Sequence, residues 1–405
     1  MSTGPLRRAA LAVVIAGAIM LGLNMGLRQT FGLFLGPMTA DLGVSHSGFG
    51  LAIAIQNLLW GALTPLFGAV ADRWGTGRVL VFGALTYVAG LLVMALVQTP
   101  LGMHLGAGVL VGIAVSASGF PLVLAAVARA VPEDRRSTWL GLAAAGGSLG
   151  QFALLPATQG MIVGFGWSGA VLGLAALAVL MLPLAVPLRG RPQGDGAGDQ
   201  RLGEALTEAG SHRSYLLLTA GFFVCGFHVA LVATHLPAYI SAQGLASWVG
   251  ATALGLIGFF NIFGTFGAGW LGGRFARKRV LTGIYLARAG VIATMLLLPM
   301  SAAMVLGVGA AIGLLWLGTV PLTSGLVGLM FGPRYMATLF GVVMFSHQVG
   351  AFLGAWLGGL SYDLTGSYNA VWWLAVALAL GSAALHWPIR ERPVARLAPE
   401  GPAAI

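Results

Sequence analysis

Long apolar segments recur from one end of the chain to the other, and short polar stretches separate them. Each segment is long enough to cross a hydrocarbon core of about 30 Å as an α-helix. The pattern predicts an all-α membrane protein with twelve transmembrane helices in two pseudo-symmetric six-helix bundles, 1–188 and 213–388. The predicted spans are 9–36, 46–71, 78–98, 101–130, 136–163, 166–188, 213–240, 246–272, 279–299, 302–330, 335–360 and 368–388.

A polar, glycine-containing stretch over 189–212 separates the two bundles, and a charged tail over 389–405 follows the second. The first stretch is typical of a linker, and we expect a short amphipathic helix in it near 201–209. Both polar segments are predicted to lie outside the membrane.

The composition agrees with this architecture. Of 405 residues, 58% are hydrophobic and only 8% are charged, against about 25% charged in soluble domains. The 63 glycines suit membrane helices, because small residues let helices approach closely. One cysteine, Cys225, excludes an intramolecular disulfide. No cofactor and no metal site is predicted.

The net charge of +10 does not indicate nucleic-acid binding, because the basic residues are scattered in short clusters between apolar spans. They gather beside the N-terminus, the linker, the C-terminus and the even-to-odd connections. This is the positive-inside pattern, so both termini and the linker are predicted to be cytoplasmic. We expect a multi-pass protein of the cell inner (plasma) membrane that is a monomer.

An internal repeat is visible at an offset of about 200 residues. The matched pairs are Pro37 with Pro237, Gly83 with Gly283, Gly90 with Gly290, Pro121 with Pro321, and Gly150 with Gly350. Two duplicated six-helix halves with a site between them at the membrane midplane are the plan of a secondary transporter.

Arg28 carries the functional hypothesis. Of the 21 Lys and Arg residues, 19 lie in or beside the connections, the linker and the termini, and only Arg28 and Arg288 lie well inside predicted spans. A charge in the bilayer core costs roughly 2.5–3.5 kcal/mol on insertion scales, so it needs a function or a partner. Every Asp and Glu lies in a loop, a helix end or the linker, which favours an anionic over a cationic substrate. The offset of 200 pairs Arg28 with His228.

We therefore predict a site for a small organic anion. The candidate substrate-binding residues are Arg28, Gln29, His228, Asn261, His347 and Gln348. Candidate proton carriers are His228 and His235, or the carboxyl group of the substrate itself. The alternative for Arg28 is a structural arginine bonded to carbonyls, and for the histidines it is an ordinary interhelical hydrogen bond. Arg288 lies on a predicted supporting helix, where bonding to a neighbour's carbonyls is the favoured role.

The segment 68–78, Gly-Ala-Val-Ala-Asp-Arg-Trp-Gly-Thr-Gly-Arg, resembles the loop 2–3 signature of the major facilitator superfamily. A weaker copy stands at 269–274. The resemblance implies that helices 1, 4, 7 and 10 line a central cavity and that substrate moves by alternating access. It also implies a conformational loop motif at Gly68, Asp72, Arg73, Gly75 and Arg78.

Within the superfamily, the chain resembles the bacterial monocarboxylate and oxalate/formate transporter group. The residues concerned are the runs 28–34, Arg136…Gly141…Ser148–Gln151, and Asn261-Ile262-Phe263-Gly264. The resemblance implies transport of a monocarboxylate. Proton symport is our preferred coupling. One position after the last motif, where that group often has an arginine, this chain has Thr265.

Other functions stay open at this point. An efflux pump for hydrophobic compounds needs only an apolar cavity, and an anion exchanger needs the same residues as a symporter. A membrane enzyme is disfavoured, because the spans contain no carboxylate and no nucleophile–base constellation. A sensor is disfavoured too, because the linker is too short for an output domain. The expected partners are the substrate anion, protons and the lipid bilayer, and no nucleic acid.

Overall fold

The computed structural model describes residues 4–132, 136–190, 202–332 and 336–397. Within these ranges, eleven helices are long and apolar enough to span a membrane. One of them, Arg136–Val179, contains Gly166 with φ 71° and ψ 173°. This backbone conformation is open to glycine and ends a helix, so the segment comprises two spans. The twelve-helix prediction is confirmed.

We number the spans α1 (Ala10–Leu42), α2 (His46–Ala71), α3 (Thr76–Leu96), α4 (Pro100–Ala130), α5 (136–165), α6 (167–184), α7 (Arg213–Ala242), α8 (Ser247–Arg274), α9 (Arg277–Leu297), α10 (Ala302–Phe331), α11 (Met336–Thr365) and α12 (Asn369–His386). A short helix, Leu202–Ser211, precedes α7 and is called the linker helix. It covers most of the segment where the sequence predicts a helix, while 191–201 lie outside the described residues.

The two halves repeat the same local devices. Thr99 accepts a hydrogen bond from the Gly102 N–H at the start of α4, and Ser301 accepts one from the Met304 N–H at the start of α10. Such side-chain acceptors satisfy N–H groups that a helix leaves unpaired in its first turn. Matching helices of the two halves, α4 and α10, therefore begin with the same kind of side-chain cap.

Within each half, glycines bring the first and fifth helices into backbone contact. A Cβ on Gly150 of α5 would overlap the carbonyl group of Gly22 on α1. In the second half, a Cβ on Gly226 of α7 would overlap the carbonyl oxygen of His347 on α11. This close approach is the use that the abundant glycines were predicted to have.

The two halves meet mainly through α2 with α11 and α5 with α8. A Cβ on Gly50 would meet the Ala355 carbonyl, and the Gln159 amide nitrogen donates to Ser247 Oγ at 3.2 Å. Nearer the linker, the space beside the α-carbon is open for at least 4 Å at Gly68, Gly141, Gly267 and Gly341. The Gly50 and Gln159 contacts lie at the face opposite the linker, which is called the closed face below.

Asp363, at the end of α11, fastens the closed face. Its two carboxylate oxygens accept hydrogen bonds from the backbone N–H groups of His46 (3.0 Å) and Ser47 (2.7 Å), which begin α2 in the other half. The His46 ring lies 4.2 Å from the Tyr362 ring, centroid to centroid. A carboxylate at a helix N-terminus is stabilised by the free N–H groups and by the helix dipole. One side chain therefore joins the two halves at this face.

The helix α10 is interrupted at 315–318, between the helical segments Ala302–Leu314 and Thr319–Phe331. Arg288 of α9 stabilises this break. Its Nε donates to the Leu315 carbonyl at 3.1 Å, and its Nη2 donates to the carbonyls of Leu315 and Trp316. Carbonyls freed by a break must find donors inside the protein, because lipid offers none. Arg288 has the carbonyl-bonding role that the sequence favoured.

The tail is held against the linker helix. Arg396 forms an ion pair with Glu208 at 2.9 Å and donates to the Phe331 carbonyl at the end of α10. The linker helix buries Ala205 and Ala209. Its amphipathic character, which the sequence predicts, is thus used for packing on the second half.

Replacing Asp363 by Ala tests the fastening at the closed face. Losing two charge-assisted hydrogen bonds, each worth roughly 1.5–3 kcal/mol, should open this face more often. We expect the amides of His46 and Ser47 to exchange hydrogen at least about fivefold faster, measured by mass spectrometry on the peptide around 44–50. Asp41→Ala is the matched control, because Asp41 accepts its 2.6 Å hydrogen bond from Trp167 within the first half. Equal exchange in both variants would contradict this role of Asp363.

Replacing Arg288 by Met tests the support of the α10 break. The substitution keeps much of the side chain's length but leaves the carbonyls of Leu315 and Trp316 without donors, at a cost of roughly 2–4 kcal/mol. We expect a clear fall in the thermal unfolding midpoint of the purified protein. Arg274→Met is the control, because the Arg274 guanidinium lies over the exposed Trp270 ring at 4.0 Å. We expect this variant to change the free energy of unfolding by no more than about 0.5 kcal/mol. Unchanged stability of the Arg288 variant would show that the break needs no such donor.

Candidate functional site

The regular α-helix of α1 stops at Gln29, directly after Arg28. The chain continues as a 3₁₀ turn over Thr30–Phe34 and resumes as an α-helix over Leu35–Leu42. A stretch of 3₁₀ inside a long helix often marks a functional hinge. The change also rotates the following residues relative to those before it, so the Arg28–Gln29 pair stands at a discontinuity in the first span.

Arg28 is buried, with 8% of its surface exposed. Its Nη1 donates to the Asn57 side-chain oxygen on α2 at 3.3 Å, and its guanidinium carbon lies 4.9 Å from the centroid of the Trp60 ring. Both partners are uncharged. An amide acceptor and an aromatic face orient a guanidinium but do not neutralise it.

One edge of the Arg28 guanidinium remains unused. Within the part of the chain that the structure describes, its Nε is buried without a hydrogen-bond partner, and its only side-chain acceptor is the Asn57 oxygen on Nη1. The Nε and Nη2 groups of an arginine point the same way and match the two oxygens of a carboxylate. Buried polar groups are normally paired, so an unpaired one needs an explanation, such as a missing ligand or water.

Gln29 strengthens this observation. It is 1% exposed, and among the described residues neither its amide oxygen nor its amide nitrogen has a partner. Two adjacent residues of α1 thus present unsatisfied donors in the apolar interior. Leaving such a group unpaired costs roughly 1–3 kcal/mol.

Gln348, on α11 in the other half, reaches the same neighbourhood. Its Cβ and Cγ would contact a Cβ placed on Gly61, at 2.7 and 2.6 Å, and Gly61 directly follows Trp60. Its amide oxygen is buried without a partner among the described residues. Gln348 of the second half thus packs on α2 at the residue after Trp60, whose ring faces Arg28 of the first half.

Asn261 joins three helices instead of standing free. Its Nδ2 donates to Ser148 Oγ on α5 at 3.0 Å, and its Oδ1 accepts the Leu317 N–H at the α10 break, also at 3.0 Å. Thr265 donates to the same Oδ1 at 3.2 Å. The position where related sequences often have an arginine thus holds a hydroxyl that steadies Asn261. Asn261 couples the α10 break to the boundary between the halves.

The structure does not bring His228 and Arg28 together by hydrogen bonding. His228 Nε2 lies 2.9 Å from the Ala375 carbonyl of α12, and His235 Nε2 bonds to the Ala355 carbonyl of α11 at 2.6 Å. A carbonyl can only accept, so Nε2 carries the hydrogen in both rings. In each, Nδ1 is buried without a partner among the described residues. These contacts are of the interhelical kind that the sequence left as the alternative.

His347 points into the second half. Its ring centroid lies 5.2 Å from that of Phe222 on α7, and its Nδ1 is also buried and unpaired in the described chain. Its neighbour in sequence, Gln348, faces the other half, because successive residues of a helix point in different directions. Of the two α11 candidates, only Gln348 is placed beside the Arg28 environment.

The loop motif occupies the linker face. Gly75 adopts φ 96° between α2 and α3, a backbone conformation that favours glycine. Arg73 and Arg78 are exposed there, and a Cβ added to Gly68 would meet no neighbouring segment within 4 Å. The side chain of Asp72 lies outside the described residues, so the expected ion pairs of this motif stay a prediction.

Trp60 is the residue that sequence reasoning missed. Trp60 follows the polar residues Gln56 and Asn57 by about one helical turn in a hydrophobic span, where the sequence predicts an apolar core residue. The signal available was spacing, since Asn57 and Trp60 stand three residues apart and share a helix face. Only the packing of α1 on α2 places that face against Arg28.

Comparison with known proteins agrees with the architecture. Residues 17–355 match the family described as the Major Facilitator Superfamily. Monocarboxylate transporter 11 of Mus musculus is 27% identical over 373 residues, covering 88% of this chain and 82% of that protein. An uncharacterized MFS-type transporter of Bacillus subtilis is 24% identical, covering 86% of this chain and 87% of that protein.

Two solved structures share the fold. The nucleoside transporter NupG superposes with a TM-score of 0.79 at 15% identity, covering 93% of this chain and 98% of that one. A bacterial homologue of the human lysosomal transporter Spinster, in an inward-facing and occupied conformation, gives a TM-score of 0.75 at 16% identity, covering 92% and 95%. The chain belongs to the Major Facilitator Superfamily and is a multi-pass membrane transporter.

Proposed function

We propose that the protein moves a small monocarboxylate across the cell inner membrane by alternating access, with Arg28 as the group that holds the carboxylate. The observation that carries the proposal is the buried Arg28 guanidinium, whose Nε edge has no partner in the described chain. The likeness to monocarboxylate transporters supports the same substrate class.

The chemistry of the site suits one negative charge. A carboxylate placed on the Nε and Nη2 groups would make two parallel charge-assisted hydrogen bonds. Gln29 offers an amide donor beside it, and Gln348 from the other half packs on Gly61 of α2. Asn57 and Trp60 hold the guanidinium in place. A substrate bridging α1 and α11 would contact both halves, as alternating access requires.

Proton coupling is assigned to the substrate's own carboxyl group. His228 and His235 each donate Nε2–H to a backbone carbonyl. A second proton would sit on a buried Nδ1 that has no acceptor among the described residues, and burying an unpaired charge is costly. A carboxylic acid crossing with its proton needs no protein carboxylate in the spans. Electroneutral symport therefore fits these residues, and exchange of two anions is the competing mode.

The orientation follows from the charge pattern. With the linker in the cytoplasm, as the basic loops indicate, the closed face lies at the outer side of the membrane. We propose that the protein works as a monomer, since each copy contains both halves of the site.

Arg28 is tested by substitution and ligand binding. We expect small monocarboxylates, such as lactate and pyruvate, to raise the thermal unfolding midpoint of the purified protein. Arg28→Gln should weaken this binding by roughly 10- to 100-fold, the effect of losing a charged hydrogen-bond pair. Arg28→Lys keeps the charge but not the planar fork, so an intermediate loss is expected.

Arg213→Gln is the control, because this exposed arginine lies at the linker face, away from the site. It should bind as the unaltered protein does. Monocarboxylate binding that survives Arg28→Gln unchanged would overturn the site. Stabilisation by hydrophobic cations instead of carboxylates would favour the efflux alternative. Uptake into proteoliposomes that ignores an imposed pH gradient but needs an internal anion would favour exchange over symport.

A further inference from the structure

A cavity of about 570 Å³ lies at the linker face, beside the start of α3. Three segments build it. Trp74 and Gly75 come from the end of α2, Gly77, Arg78 and Val81 from α3, and Arg189 and Gly190 from the segment after α6. It is separate from the Arg28 site, because none of the residues around Arg28 lines it.

Backbone and side-chain hydrogen bonds hold the walls together. The Thr76 N–H donates to the Gly190 carbonyl at 3.0 Å. Arg129, at the end of α4, donates from Nη2 to Thr76 Oγ1 at 2.6 Å. The segment after α6 is therefore fixed across the first turn of α3, and the cavity does not depend on a free loop.

The cavity is basic. Arg78 and Arg189 both line it and are exposed. Neither has an ion-pair partner in the part of the chain that the structure describes, and none of the seven lining residues is acidic. Two guanidinium groups in a cavity whose seven lining residues include no acid favour an anion, and their planar forks suit phosphate.

The surface next to the arginines is apolar. Val81 and Leu85 follow Arg78 at three and seven residues and lie on the same face of α3. They are 37% and 54% exposed, and Trp74 is 55% exposed. On a membrane span, an outward apolar strip faces lipid chains, and tryptophan is typical of the headgroup level. The cavity thus combines a cationic end with a strip for hydrocarbon.

We propose that this cavity binds the phosphate of an anionic phospholipid, with the acyl chains lying along Val81 and Leu85. Phospholipid is favoured over soluble phosphate, because its acyl chains would contact the exposed apolar strip and a soluble phosphate has none. Basic pockets at the headgroup level are suited to acidic lipids. Gly75 and Arg78 belong to the loop motif that the sequence singles out, so the lipid would sit on that motif. The proposal does not depend on the transported substrate.

Native mass spectrometry of the purified full-length protein with phosphatidylglycerol tests the site. We expect a tightly bound lipid that is weakened about thirtyfold in the double variant Arg78→Gln/Arg189→Gln, from about 1 kcal/mol for each arginine near the headgroups. The matched control is Arg213→Gln/Arg390→Gln, which removes two exposed charges beside the second half at the same face. Equal loss in both variants, or no loss in either, would overturn the site.

A second pair of measurements separates the lipid from its headgroup. Leu85→Asn should weaken phosphatidylglycerol binding while leaving both arginines in place. This variant therefore tests the lipid site even if the arginine double variant fails to fold. Glycerol phosphate at millimolar concentration should not displace the lipid. Displacement at an affinity equal to that of the lipid would assign the cavity to soluble phosphates and overturn the lipid proposal. Unchanged elution volumes and thermal midpoints would show that the variants are folded.

Discussion

A polar group inside the hydrocarbon region must find its partner within the protein, and the architecture of this chain follows from that requirement. The two intramembrane arginines meet it in different ways. Arg288 takes up the carbonyls that the break in α10 releases, so the helix break and the arginine satisfy each other. Among the described residues, Arg28 has one amide acceptor and an aromatic face, and its Nε has no partner. The first arrangement is structural, and the second is suited to a ligand.

The same requirement shapes the contacts between the halves. In the apolar interior the halves touch through glycine-lined helix faces, which leave few polar groups to satisfy. At the closed face, where water is available, Asp363 can use a carboxylate to cap α2 across the boundary. At mid-depth, Asn261 bonds to Ser148 in the other half and to the α10 break in its own. A rearrangement between the halves would have to replace these few polar contacts with others. The apolar faces can slide or separate without leaving polar groups unpaired.

The linker face differs in character. It carries the exposed arginines, the glycine at positive φ between α2 and α3, and the cavity formed with the segment after α6. Polar groups here can be satisfied by water or by lipid headgroups, so no compact packing is required of them. The exposed basic side chains of this face are a consequence of that setting.

The sequence by itself determined the helix number, the duplication and the isolation of Arg28 and Arg288, because apolar length and charge placement are local properties of a span. It could also identify the family, since the loop motif is contiguous. It could not decide which neighbour each buried polar group meets. The offset of the repeat paired Arg28 with His228, yet the His228 ring bonds to α12. Matched positions in the two repeats lie at the same depth in the membrane, but this does not fix the direction in which each side chain points from its helix. The roles of Trp60, Gln348 and Asn261 likewise depended on the packing of α2, α5, α10 and α11, which only the tertiary structure decided.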